Sequence, residues 1–176
     1  MRARLLCSMM VAAGLLAGAS AQDRAPAPGA PDSPNRRWLD TTVTGAERER
    51  ASTVVGLAAP EFPASVIFPG DATALESLRG KVVIVQFWSR ADRRSTLRIE
   101  QLAALEKDMK GEVVVVGVHH AGGAAGVKAY LERRPAGVAV AVDEAGDYAR
   151  ALGAGSNLAN YVIDRSGTVR YALLNP

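Results

Sequence analysis

The sequence predicts an α/β domain, a central sheet flanked by helices, on three observations. Val82-Val83-Ile84-Val85 with Phe87-Trp88 is a short β-branched run bounded by Gly80 and Ser89, the composition of a strand rather than of a helix segment. Directly after it, Ile99, Leu102, Leu105 and Met109 recur at three- and four-residue steps, which predicts one inward-facing helical stripe. Val113 to Val118 then places five valines around Gly117, a continuous apolar run of the kind carried by strands buried on both faces.

In chain order, residues 1–21 read as a secretory signal peptide. Arg2 and Arg4 charge its start, Leu5 to Gly18 is apolar, and Ala19-Ser20-Ala21 is a small-residue cleavage site, so cleavage after Ala21 would leave an exported protein, periplasmic or secreted. The apolar run falls short of the roughly 20 residues needed to span a bilayer, so no membrane span is expected after cleavage. The single cysteine, Cys7, lies in this leader and is wrongly placed for lipid attachment. The chain carries a net charge of +3; without the two leader arginines, 19 basic residues face 18 acidic ones. That balance excludes the marked basic excess of a nucleic-acid binder. Residues 22–53 are rich in Pro, Ala and charge and are expected to form a flexible tether, with Trp38-Leu39 as its one apolar spot.

The domain itself is expected over 54–176. Ser65 to Phe68 suits a first short strand, Pro69-Gly70-Asp71 a turn, and Ala74 to Arg79 a helical turn with Leu75 and Leu78 inward. After the central strand, a polar turn leads into a helix opening near Asp92, where unpaired N–H groups and a partial positive charge gather. Ala124 to Arg134 is expected to be helical with Val127, Tyr130 and Leu131 on one face, ending before Pro135. Val138 to Val142 reads as a strand, Glu144 to Leu152 as a helix closed by Gly153, and Asn160 to Asp164 with Thr168 to Tyr171 as a hairpin turning at Arg165-Ser166-Gly167.

Four of these stretches, in this order, resemble one family. Gly56-Leu57-Ala58-Ala59-Pro60-Glu61-Phe62 is similar to the G-x-x-A-P-x-F opening of TlpA-like and peroxiredoxin-like domains. GKVVIVQFW resembles the GKVVLVNFWATWCPPC stretch of TlpA-like proteins, AVAVDEAGDYARALGA their FPVLLDPDGEVAKAYGV, and the terminal hairpin their TTFLIDRDGKIV. The resemblance implies the thioredoxin-like fold of the TlpA-like and AhpC/TSA-like redoxins, with a central mixed sheet, and thiol–disulfide oxidoreductase activity by descent. It also implies a C-terminal helix for which the sequence, ending at Pro176, has no counterpart.

The functional residues do not carry over. Asp92 stands where the family has its nucleophilic cysteine, Ser95 where it has the second, and Leu158 where it has a cis-proline. Thiol–disulfide exchange needs an attacking thiolate and a second thiol to resolve the mixed disulfide, and neither a carboxylate nor an alcohol replaces them. A non-proline cis bond costs about 3 kcal/mol, so Asn157-Leu158 is expected to be trans and the peptide-pairing loop reshaped. Asp92 suits a helix N-cap. Arg90, Arg93, Arg94 and Arg98 crowd the start of that helix, a candidate site for an anion or an acidic partner segment, with a solvated charge cluster as the alternative. His119 and His120 point to opposite faces of a strand, so no metal site is expected, and no cofactor. The expected function is therefore a redox-inactive binding module acting on an envelope protein or a small anion. A thiol–disulfide oxidoreductase, or a truncated or decayed copy, are the alternatives.

Overall fold

The structure is a computed structural model, and it describes residues 45–63, 66–68, 74–155 and 158–174. The leader with Cys7, the Trp38-Leu39 spot, the Pro69-Gly70-Asp71 turn, Asn157 and Pro176 lie outside the described residues. The elements run α1 (Gly45–Val54), β1 (Val66–Phe68), a 3₁₀ turn (Leu75–Leu78), β2 (Val82–Trp88), α2 (Arg93–Asp108), β3 (Val113–His119), α3 (Val127–Arg133), β4 (Ala139–Val142), α4 (Asp147–Ala151), β5 (Asn160–Ile163) and β6 (Val169–Leu174). Six strands form one mixed sheet in the order β1-β4-β3-β2-β5-β6. β2, β3 and β4 are parallel, while β1, β5 and β6 join antiparallel.

β2 and β3 pair in register from Val82 opposite Val113 to Trp88 opposite His119. They lie at the centre of the sheet, which is why both read as unbroken apolar runs: each face of each strand is covered. On one face α1, the 3₁₀ turn and α4 pack over Val83, Val85, Phe87, Tyr161 and Ile163. On the other, α2 and α3 pack over Trp88, Val113, Val115, Val140 and Val142.

Three expectations change. The tether does not extend to residue 53: residues 45–54 form α1, and Ala51 and Val55 are buried in the core. The segment reads as polar because α1 buries only a narrow strip, and Ala51 is too small to mark it. The α2 stripe holds only for its first half, since Ile99 is buried and Leu102 partly so, while Leu105 and Met109 are 40% and 39% exposed. α3 and α4 are also shorter than their sequence patterns, each entered through a glycine in the left-handed region, Gly126 and Gly146.

The β5–β6 hairpin turns on Asp164. Its Oδ1 accepts from the Ser166 and Thr168 amides at 2.9 and 3.0 Å, and its Oδ2 from Arg170 Nε at 2.6 Å. Burial raises the Asp164 carboxyl pKa, but these hydrogen bonds and that of the Ser166 hydroxyl outweigh it and hold the group ionised well below the usual carboxylate range.

Candidate functional site

The parallel strands end together, and their C-terminal edge carries the turn between β2 and α2. Trp88 closes β2, and residues 89–92 swing the chain into the helix. Asp92 is the N-cap, in extended backbone, and its Oδ1 accepts from the Ser95 amide at 2.6 Å. That backbone hydrogen bond, above all, keeps the Asp92 carboxyl below its ordinary pKa. Ser95 is buried, and its Oγ accepts from the Ser89 amide at 3.1 Å while facing the Asp92 and Ser89 carbonyl oxygens at 3.0 and 3.2 Å. The two positions that the resemblance assigns to sulfur are thus tied to each other and to Ser89.

A second knot lies beneath the turn. His119, at the end of β3, is fully buried and stands edge-on to Trp88, with ring centroids 4.8 Å apart. Its Nε2 accepts from the Arg90 amide at 3.0 Å, so the ring proton sits on Nδ1, which donates to the His120 carbonyl at 2.7 Å. Burial lowers the His119 pKa, with the neighbouring Arg90 and His120 charges adding to it against the His120 carbonyl. The imidazole is a neutral structural tie with both nitrogens occupied. Its part was invisible in the sequence because it depends on the register that places His119 opposite Trp88.

Arg90 reaches sideways to the carbonyls of Gly123 and Ala125 at 3.3 and 3.5 Å, in the loop before α3. Arg93 and Arg94 are exposed on the first turn of α2, and Arg98 lies half-buried one turn further on. Leu158 is half-buried, and its carbonyl accepts from Gln86 Nε2 at 3.1 Å. Sequence reasoning also missed Asp143, buried after β4, whose carboxylate accepts from the Tyr148 and Ala149 amides at 3.2 and 2.8 Å and so starts α4.

Asp92 is engaged as a cap, the Ser95 hydroxyl is enclosed, and the His119 lone pair is taken by Arg90. The described residues contain no cysteine. Among them no helix is long and apolar enough to cross a membrane.

A model of the AhpC/TSA family matches residues 55–172. The chain belongs to the AhpC/TSA family. No curated relative matches it. Among solved structures, this AhpC/TSA chain is 26% identical to a candidate thiol:disulfide interchange protein DsbE from Chlorobium tepidum, with a TM-score of 0.57 over 69% of this chain and 87% of that one. It is 23% identical to a candidate protein disulfide isomerase from Bacteroides thetaiotaomicron, with a TM-score of 0.56 over 69% and 80% of the two chains. It is 20% identical to the pneumococcal exposed lipoprotein thioredoxin Etrx1 from Streptococcus pneumoniae, with a TM-score of 0.55 over 62% and 85%. The thioredoxin-like fold expected from the sequence is the fold observed, with a mixed sheet flanked by helices.

The Asp92 cap gives a first prediction. Asp92→Ala is expected to cost about 1 kcal/mol in urea unfolding at neutral pH, and Asp92→Asn, which keeps an acceptor, much less. Because the folded pKa is depressed, the charge contribution of Asp92 is present above the unfolded value of about 3.9 and fades as pH falls through the folded one. Equal losses for both variants at pH 7 would show that charge, not capping, is what Asp92 supplies.

Proposed function

We propose that this AhpC/TSA member is a redox-inactive binding module that works outside the cytoplasm. The observation that carries the reading is the Asp92–Ser95 knot at the end of β2, where two hydrogen-bonded oxygen side chains occupy the places that the resemblance gives to sulfur. Sulfur chemistry has no substitute there, since Ser95 ionises far too weakly and Asp92 cannot form a mixed disulfide. Export is supported by the apolar leader and by the likeness to an exposed lipoprotein thioredoxin. The occupant would be an acidic segment of an envelope protein, or a small anion, met by Arg93 and Arg94 at the exposed start of α2.

The likeness to a thiol:disulfide interchange protein keeps oxidoreductase activity as the second reading. One pair of measurements separates them. Residues 22–176 are expected to show no reduction of a disulfide substrate above the buffer rate. They are also expected to retain a partner from an envelope extract that an Arg93→Ala, Arg94→Ala variant loses. Turnover of the disulfide would overturn redox inactivity. A partner retained equally by both versions would move the binding surface away from the turn. A chain that binds nothing and unfolds without a cooperative transition would point to decay.

A further inference from the structure

Away from the β2–α2 turn, a cleft of about 370 Å³ lies between the segment before β1 and the loop from β4 into α4. That volume is at the small end of the range, roughly 300–1,000 Å³, of clefts that hold small ligands. Its charge is one-sided: Glu61, Asp143, Glu144 and Asp147 line it, and no basic residue does. Arg150 pairs with Asp147. Asp143 is 3% exposed and engages both carboxylate oxygens with the Tyr148 and Ala149 amides, so it contributes charge rather than a contact. Glu61 Oε2 accepts from the Leu75 amide at 3.0 Å, which fixes that carboxylate in the wall and commits one of its two oxygens.

Tyr148 supplies a second, independent feature. It lines the same cleft, is 4% exposed, and its buried hydroxyl has no hydrogen-bond partner. The ring is held between Phe62 and Phe87, with centroids 5.9 and 6.0 Å away, so the hydroxyl is not free to swing toward a partner elsewhere. Burial, then the charges of Glu61 and Asp143, raise its pKa, so the phenol is neutral and within electrostatic reach of both acids. A buried polar group left unmet costs free energy, and a donor entering the cleft would remove that cost.

We infer that this cleft binds an organic cation, an ammonium or guanidinium group on a short aliphatic stem, with Glu61 and Glu144 meeting its charge and the Tyr148 hydroxyl accepting one of its N–H groups. Such a cation carries donors only, which suits acceptor-only carboxylates and a phenol oxygen. Pro60 and Pro63 give the stem an apolar wall. The donor set does not suit a metal ion, because no three His, Asp or Glu side chains converge as ligands among the described residues. The site is independent of Arg93 and Arg94, so its failure would leave the binding role proposed for the β2–α2 turn standing.

The test follows the backbone amide resonances of the full chain at low ionic strength while butylguanidinium or butylammonium is added, with butylurea as the neutral control. Binding predicts saturable shifts at the Ala145, Asp147 and Tyr148 amides with either cation and none with butylurea. Glu61→Gln keeps an acceptor for the Leu75 amide and is expected to weaken binding about tenfold; Tyr148→Phe keeps the ring in place and is expected to weaken it about threefold to tenfold. Without ligand, Tyr148→Phe should unfold at the same urea concentration as the wild type or a higher one, since the change deletes an unmet buried hydroxyl. An acetylated and amidated Gly-Arg-Gly peptide separates the two sources of the cation. Affinity above that of butylguanidinium assigns the site to a basic side chain of a partner, and equal or lower affinity assigns it to a free amine or guanidine. Equal shifts with butylurea, shifts that leave these amides untouched, or an affinity that either variant leaves unchanged would overturn the inference.

Discussion

Gly153→Ala is expected to lower stability by about 2–4 kcal/mol, although it adds a single methyl group. Gly153 has a φ of +66°, where a side chain is strained. A Cβ there would lie 2.7 Å from the Arg50 carbonyl carbon, 2.8 Å from its oxygen and 2.9 Å from the Ala51 amide nitrogen. These are backbone atoms of α1, so no side-chain rotation relieves the contact and the helix must lift off the sheet. Gly167 provides the contrast, because the obstacle to a Cβ there is the guanidinium end of Arg79. Arg79→Ala should therefore relieve part of the cost of Gly167→Ala, whereas Arg50→Ala should relieve none of the cost of Gly153→Ala. Urea unfolding of the four single and two double variants measures both. A Gly153→Ala cost under about 0.5 kcal/mol would mean that α1 is not seated where the structure puts it.

That glycine also shows where the sequence was legible and where it was not. The central strand and the valine run were readable because both are buried on two faces, so hydrophobicity alone marks them. α1 was not, because it docks through Ala51 and a glycine on another element rather than through a row of large apolar residues. The α2 stripe misled for the opposite reason. Leu105 and Met109 have the right spacing but stay exposed, because periodicity carries no information on what stands opposite.

At the site, the chemistry that depends on residue identity was legible and the chemistry that depends on neighbours was not. Asp92 as an N-cap follows from its type and its place before Arg93. The enclosure of Ser95 by Ser89, the lateral reach of Arg90 and the role of His119 all need two elements brought together. Asp92, Ser95 and Ser89 engage one another at the turn, so the binding surface proposed above rests on the exposed Arg93 and Arg94 and would be salt-sensitive.

His119 is where that internal satisfaction is most open to measurement. His119→Ala is expected to cost about 2–4 kcal/mol, because it removes a fully buried ring from against Trp88 and leaves the Arg90 amide without its acceptor. Titration separates this from simple loss of volume. Burial lowers the folded pKa of His119, so the unfolded chain takes up the proton first as pH falls. Its contribution is full above the unfolded value of about 6.5 and is lost between that value and the folded one, with a slope of at most about 1.4 kcal/mol per pH unit. The charged and titratable groups that face it are Arg90 and His120. Glu106, raised by burial, titrates in the opposite sense toward more acid pH, so the difference between wild type and variant rather than the wild-type curve alone isolates His119. Over that window, urea unfolding of the wild type should show stability falling toward acid, while His119→Gln, which keeps an acceptor for Arg90 but no titrating ring, should be much flatter. Parallel pH profiles for the two would place the titrating group elsewhere and leave His119 as a packing residue.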